Sequence, residues 1–218
     1  RGLRAGASRV LISGPSAAAD LTLVLGANEA ALRDQRIVSN ASCTTNALAP
    51  LARLIHAHWG IVTGSMTTIH CYTGSQPTVD APAADFSRSR AAALSMVPTT
   101  TSAQRLLDLV LPDLAGRLEG SAVRVPTASV SAVDLSVMTE RPCDAASVNA
   151  AFRVAGGVIG ATDKALVSTD LRARPESIVM ACPETRVTKG GMLRVFGWYD
   201  NEWGFSNRML DVARLMQG

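Results

Sequence analysis

The strongest constraint on the fold is a change of hydrophobic period at Ser42. Before it lie three short apolar runs, residues 10–12, 21–25 and 37–39, each with the length and composition of a buried strand. After it, Leu48, Leu51, Ala52, Ile55 and Trp59 recur on one face of a helix that Gly60 ends. Pro50 falls inside this helix and must cost it a hydrogen bond or a bend. Three strands joined by loops do not make a domain, so the first forty-odd residues are expected to be the tail of a larger unit.

Beyond the helix, residues 61–70 read as a strand rich in Thr, Ile, Val and Met that carries His70 at its end. A polar loop reaches Ser89. The threonines 99–101 then offer caps to a helix whose apolar face is Ala103, Leu106, Leu107, Val110 and Leu111, stopped by Pro112. Strands are expected at 122–125 and 130–138, near Leu166 and Ile178, and at 192–199; helices are expected at 147–155 and 206–216. Strands in runs with interspersed helices argue for an α+β domain with a mixed, largely antiparallel sheet.

With 47% hydrophobic and 18% charged residues, the chain has ample material for a core and is too apolar to stay disordered. Its net charge of +3 is spread along the length without a block of like charges, which leaves no footprint for nucleic acid. The apolar run at 10–12 is cut by Ser13-Gly14-Pro15, so it is neither a secretory leader nor a membrane span. Cys43, Cys71, Cys143 and Cys182 have no C-x-x-C spacing, which suits free thiols in a cytoplasmic compartment.

Chemistry concentrates in S-N-A-S-C-T-T-N, residues 39–46, where an extended segment gives way to the helix. A thiol at a helix N-terminus faces unpaired N–H groups and the positive end of the dipole, which favour the thiolate. The commoner fate of a lone cysteine is an inert core position, but Cys43 stands among Ser, Thr and Asn. His70, at a strand end beside a polar loop, is the natural acid/base partner. His56 and His58 fall near the far end of the helix and read as surface or cap residues. A metal site built from Cys43, His56, His58 and His70 is the alternative, although the spacings fit no standard zinc pattern. Thr73, Ser75, Arg88, Arg90, Thr101 and Arg124 supply the hydroxyls and guanidinium forks that an anion site uses.

The octapeptide resembles the active-site signature of the glyceraldehyde-3-phosphate dehydrogenase family. Residues 66–70 (M-T-T-I-H), 88–98 (R-S-R-A-A-A-L-S-M-V-P), 124–127 (R-V-P-T) and 198–205 (W-Y-D-N-E-W-G-F) resemble further family segments in the family order. The resemblance implies that Cys43 attacks an aldehyde while His70 takes the thiol proton, and that NAD or NADP accepts the hydride. Inorganic phosphate then cleaves the thioester, turning glyceraldehyde 3-phosphate into 1,3-bisphosphoglycerate. It places Thr73, Ser75 and Arg124 on the substrate phosphate. Ser42, Thr44, Thr101 and Arg124 or a neighbour fall on the attacking phosphate, Arg88 on one or both, and Asn201 and Phe205 at the nicotinamide. It implies a homotetramer and no metal, nucleic-acid or membrane partner. Residues 1–41 become the remnant of an NAD(P)-binding Rossmann domain, 42–205 the catalytic domain, and 206–218 a helix lying back on the first unit.

Three departures stand out: Ser102 replaces a family glycine, Phe205 replaces a common tyrosine, and the G-x-G-x-x-G fingerprint is absent, the glycines at 156, 157 and 160 lacking a strand before them. The chain alone is therefore expected to be an incomplete enzyme. Erythrose-4-phosphate dehydrogenase, with water as acyl acceptor, is the rival activity; an inactive binding or assembly subunit is the rival from another class.

Overall fold

The computed structural model describes residues 2–217. Its first unit is a parallel sheet of β1 (Val10–Ile12), β2 (Leu21–Thr22) and β3 (Ile37–Ser39), with β3 in the middle. β3 feeds α1 (Cys43–Trp59), which Ser42 caps by accepting a hydrogen bond from the Thr45 N–H. Gly60, at φ 71°, ends the helix in backbone that suits glycine and returns the chain as β4 (Ile61–Cys71).

The second unit is a mixed sheet completed by β5 (Val97–Thr99), β6 (Leu118–Val125), β7 (Ser131–Thr139), β8 (Ile159–Thr162), β9 (Ile178–Ala181), β10 (Arg186–Val187) and β11 (Met192–Tyr199). The order is β5-β6-β4-β7-β11-β9-β8, with β10 beside β11. Only β4 with β6 and β8 with β9 run parallel; the other neighbours are antiparallel, as the α+β expectation required. One face is covered by α1, α2 (Ala103–Val110) and α3 (Ala145–Ala155), whose Leu48, Leu51, Ile55, Leu107 and Phe152 share a core with Leu135, Val137 and Val195. The last helix, α4 (Trp203–Gln217), instead packs Val212 and Met216 against Leu23 and Val38 of the first unit.

Several boundaries differ from the sequence reading for local reasons. The strand expected over 21–25 stops at Thr22 because Asn28 closes a turn, accepting from the Val24 N–H at 2.8 Å and donating to the Thr22 carbonyl at 2.9 Å. No strand forms at Leu166, whose N–H turns back to Lys164 O; the strand of this region is β8, four residues interrupted by Gly160. β5 was hidden by Pro98, which is tolerated because β5 lies at the sheet edge. α4 starts at Trp203 rather than Ser206, since Asp200 accepts from the N–H groups of Glu202 and Trp203.

The sheet is close-packed at Gly64 of β4, where an added Cβ would lie 2.5 Å from Ser136 O and 2.6 Å from Val137 Cγ1. At Gly190 the nearest atom to such a Cβ is Thr188 Oγ1 at 3.9 Å. Gly64→Ala is expected to destabilise the fold by about 2 kcal/mol or more, and Gly190→Ala by less than about 0.5 kcal/mol. Urea denaturation checks this; equal midpoints for the two variants would contradict it.

Candidate active site

Cys43 is the first residue of α1 and His70 the penultimate residue of β4, and Sγ lies 3.6 Å from Nε2. On the other side of the ring, Nδ1 is 2.7 Å from Cys71 O and 2.7 Å from an Arg124 guanidinium nitrogen, which also donates to Cys71 O at 2.9 Å. The two neighbours ask for opposite tautomers, since the Cys71 carbonyl can only accept from an Nδ1–H and the Arg124 N–H can only donate to a bare Nδ1; because Arg124 also has Cys71 O as an acceptor, the proton is placed on Nδ1. Nε2 then keeps its lone pair toward the thiol, the arrangement a general base needs.

Burial holds the His70 pKa down at about 4; its hydrogen bond to Cys71 O opposes this, and the Arg124 charge adds to the depression. Burial also pushes the Cys43 thiol up, ahead of the lowering effect of the Thr44 hydroxyl and N–H. The sequence reading expected the helix N-terminus to lower that thiol; in the fold the loss of solvent outweighs it. Burial thus acts against charge on both members of the pair, while the Thr44 N–H at the start of the helix favours the thiolate.

The anion residues divide into two groups. Ser75, Arg88 and Arg124 line one small cavity of about 40 Å³ together with Gln76, Val97 and Thr99, and Thr73 joins its rim through a 2.9 Å hydroxyl contact with Ser75. Arg88 is aimed by Thr99 Oγ1 at 2.9 Å from its Nε, by Thr100 Oγ1, and by Asp85. By contrast, the hydroxyls of Ser42, Thr44 and Thr101 are engaged within the protein. Ser42 caps α1, Thr44 Oγ1 is 2.9 Å from Tyr199 OH, and Thr101 Oγ1 accepts from the Ala103 N–H at 3.1 Å. Ser102 has φ −81°, backbone that any residue adopts, so its replacement of a glycine strains nothing locally.

Asn201 follows β11. Its Oδ1 accepts from the Cys71 thiol at 3.1 Å and the Ser131 hydroxyl at 3.3 Å, which leaves Nδ2 as the donor for a ligand carbonyl. Phe205 is half-buried in the first turn of α4. His56 and His58 lie outside the site: His56 Nδ1 accepts from the Ile61 N–H at 2.9 Å, and His58 leans on the Trp59 ring. Sequence reasoning missed Cys71, Ser131, Tyr199, Gln76 and Thr99 as parts of this region. Only Thr99, within a run of three threonines, carried a signal.

The geometry brings together a thiol, an imidazole and a small cavity lined by two guanidinium groups. The family model of the glyceraldehyde 3-phosphate dehydrogenase C-terminal domain matches residues 42–201. The chain belongs to the glyceraldehyde 3-phosphate dehydrogenase family. It is 51% identical over 220 residues to the glyceraldehyde-3-phosphate dehydrogenase of Cereibacter sphaeroides, an alignment covering 98% of this chain and 66% of the relative. The Xanthobacter flavus enzyme of the same name is 49% identical with the same coverage. The chloroplastic A form of Chlamydomonas reinhardtii is 47% identical, over 98% of this chain and 59% of the relative. The chain thus spans just under two thirds of the length of these family members.

His70 generates a pH prediction. Its folded value of about 4 lies below the ordinary 6.5, so protonation favours the unfolded chain. The stability it contributes is complete above pH 6.5 and is lost as the pH falls toward 4, an effect on the order of 3 kcal/mol. Urea melts are expected to show His70→Asn losing that much less than wild type between pH 6.5 and 4. Parallel curves for the two proteins would contradict the buried neutral imidazole.

Proposed function

We propose that this chain forms the catalytic part of a phosphorylating glyceraldehyde-3-phosphate dehydrogenase that uses NAD or NADP. The observation that carries the reading is the 3.6 Å approach of Cys43 Sγ to His70 Nε2, with Arg124 shared between that histidine and a small cavity that Arg88 also lines. In the reaction, the Cys43 sulfur adds to the aldehyde carbon of glyceraldehyde 3-phosphate while its proton passes to His70 Nε2. The imidazolium so formed donates to the alkoxide oxygen of the thiohemiacetal. A bound nicotinamide would supply a hydride acceptor; Asn201, whose Oδ1 takes two donors and leaves Nδ2 for a carboxamide oxygen, and Phe205 would hold it. The resulting thioester on Cys43 is cleaved by inorganic phosphate, which bonds to the acyl carbon as the C–S bond breaks and His70 returns the proton to sulfur.

Thr73, Ser75 and Arg124 hold the substrate phosphate and Arg88 serves one or both anions. Ser42, Thr44 and Thr101 take the attacking phosphate by giving up their present partners. Residues 1–41 and α4 act as part of the NAD(P)-binding unit, supported by the parallel order β1-β3-β2 and by the packing of Val212 and Met216 on it. A homotetramer is supported by the face of the large sheet turned away from α1, α2 and α3, which is partly exposed. There Ser65, Ser136 and Arg194 align, beside Thr67, Asp134 and Phe196. Four free cysteines support a cytoplasmic setting.

The test is an assay of the natural full-length reading frame with glyceraldehyde 3-phosphate, NAD or NADP, and phosphate, trapping acyl phosphate with hydroxylamine. Phosphate-dependent hydroxamate is expected, reduced roughly a thousandfold or more in Cys43→Ser. Free acid from erythrose 4-phosphate without need of phosphate would replace this reading with the rival enzyme. No turnover of either aldehyde would leave an assembly subunit.

A further inference from the structure

Cys43 is reached through a backbone bridge that the chain does not adopt freely. Asn40 leaves the end of β3, Ala41 stands at φ 55°, and Ser42 caps the helix whose first residue is Cys43. Left-handed backbone at an alanine is disfavoured about tenfold or more in population, so something must hold it. Asn46, one turn into α1 and 2% exposed, spans the bridge: its Nδ2 donates to Asn40 O at 2.7 Å and to Ser42 O at 3.0 Å, one carbonyl on either side of Ala41. Both neighbours are acceptors, so the amide nitrogen must face them. The Ala41 N–H is tied in turn to Ser39 Oγ at 3.2 Å, and that hydroxyl donates to Gly14 O.

The arrangement is costly in another way. Asn46 Oδ1 is buried without a partner, and so are both polar atoms of the Asn40 side chain. A buried amide that leaves its oxygen unpaired to commit both N–H bonds to one loop serves that loop rather than general stability.

We infer that Asn46 is a positioning residue for the nucleophile: its two hydrogen bonds lock Ala41 in left-handed backbone and thereby aim Cys43 Sγ at His70. The inference rests on the reading of Cys43 as the reactive thiol. It gives this chain a structural determinant of thiol reactivity that touches neither substrate nor cofactor, and it requires no ligand to be tested.

The experiment measures the second-order rate of iodoacetamide alkylation at Cys43, resolved by peptide mass spectrometry with Cys143 as internal reference, alongside thermal melting. Asn46→Ala is expected to slow Cys43 about tenfold relative to wild type in the folded protein. Asn46→Ala with Ala41→Gly is expected to recover to within about threefold of wild type, because glycine adopts the positive φ without a clamp. A merely structural role would lower the melting temperature of Asn46→Ala and leave its Cys43 rate unchanged, which overturns the inference. If Asn46→Ala does not fold, the double variant decides: folded and reactive supports the clamp, whereas unfolded or unreactive overturns it. A wild-type Cys43 no faster than Cys143 would remove the nucleophile reading and this inference together. A fast wild type with an unaltered Asn46→Ala removes only the latter.

Discussion

The site depends on bringing the start of one helix to the end of the next strand. α1 has 17 residues and so rises about 25 Å, while the nine steps from Ile61 to His70 carry β4 back roughly 30 Å. Because these lengths nearly match, the turn at Gly60 returns His70 to the level of Cys43, and the two meet at 3.6 Å. Shortening either element by a turn would part them. The parallel pairing of β4 with β6 then sets Arg124 opposite His70, and the antiparallel pairing with β7 supplies Ser131 to the Cys71 N–H. One helix-to-strand return therefore fixes the places of Cys43, His70, Arg124 and Cys71, the neighbour of Asn201.

Backbone strain is spent in the same place. The three residues other than glycine with positive φ are Ala41, Val130 and Ala173 among the described residues. Ala41 precedes Ser42 and Cys43, and Val130 precedes the Ser131 that holds Asn201. Ala173 donates its N–H to Asp200, the residue before Asn201. A β-branched residue in left-handed backbone, as at Val130, persists only where surrounding contacts over-determine it. Rigid placement of thiol and amide thus comes at the expense of local conformational preference, which the core of Leu48, Leu51, Phe152 and Leu135 offsets.

Much of this was legible in the residues. The apolar periodicity of α1 and the run of β4 located the elements, and the polar octapeptide located Cys43, because each is a local pattern. Family resemblance supplied the roles. What stayed hidden was long-range: the tie of Thr44 to Tyr199 joins residues 155 positions apart, and Cys71 meets Asn201 across 130 positions, with no local mark on either side. The thiol's electrostatics were misjudged for a related reason, since the helix N-terminus is visible in sequence but the burial that outweighs it is a property of the assembled sheets. β5 and β8 were lost because Pro98 and Gly160 interrupt short runs whose stability comes from their neighbours in the sheet.

The central claim is that Cys43, beside His70, adds to an aldehyde carbon. It is tested most directly by 13C NMR of glyceraldehyde 3-phosphate labelled at the aldehyde carbon and mixed with this chain, since thiohemiacetal formation needs no cofactor. The account predicts a protein-bound thiohemiacetal resonance that disappears in Cys43→Ser. No such resonance with wild type, or one that survives in Cys43→Ser, would contradict it.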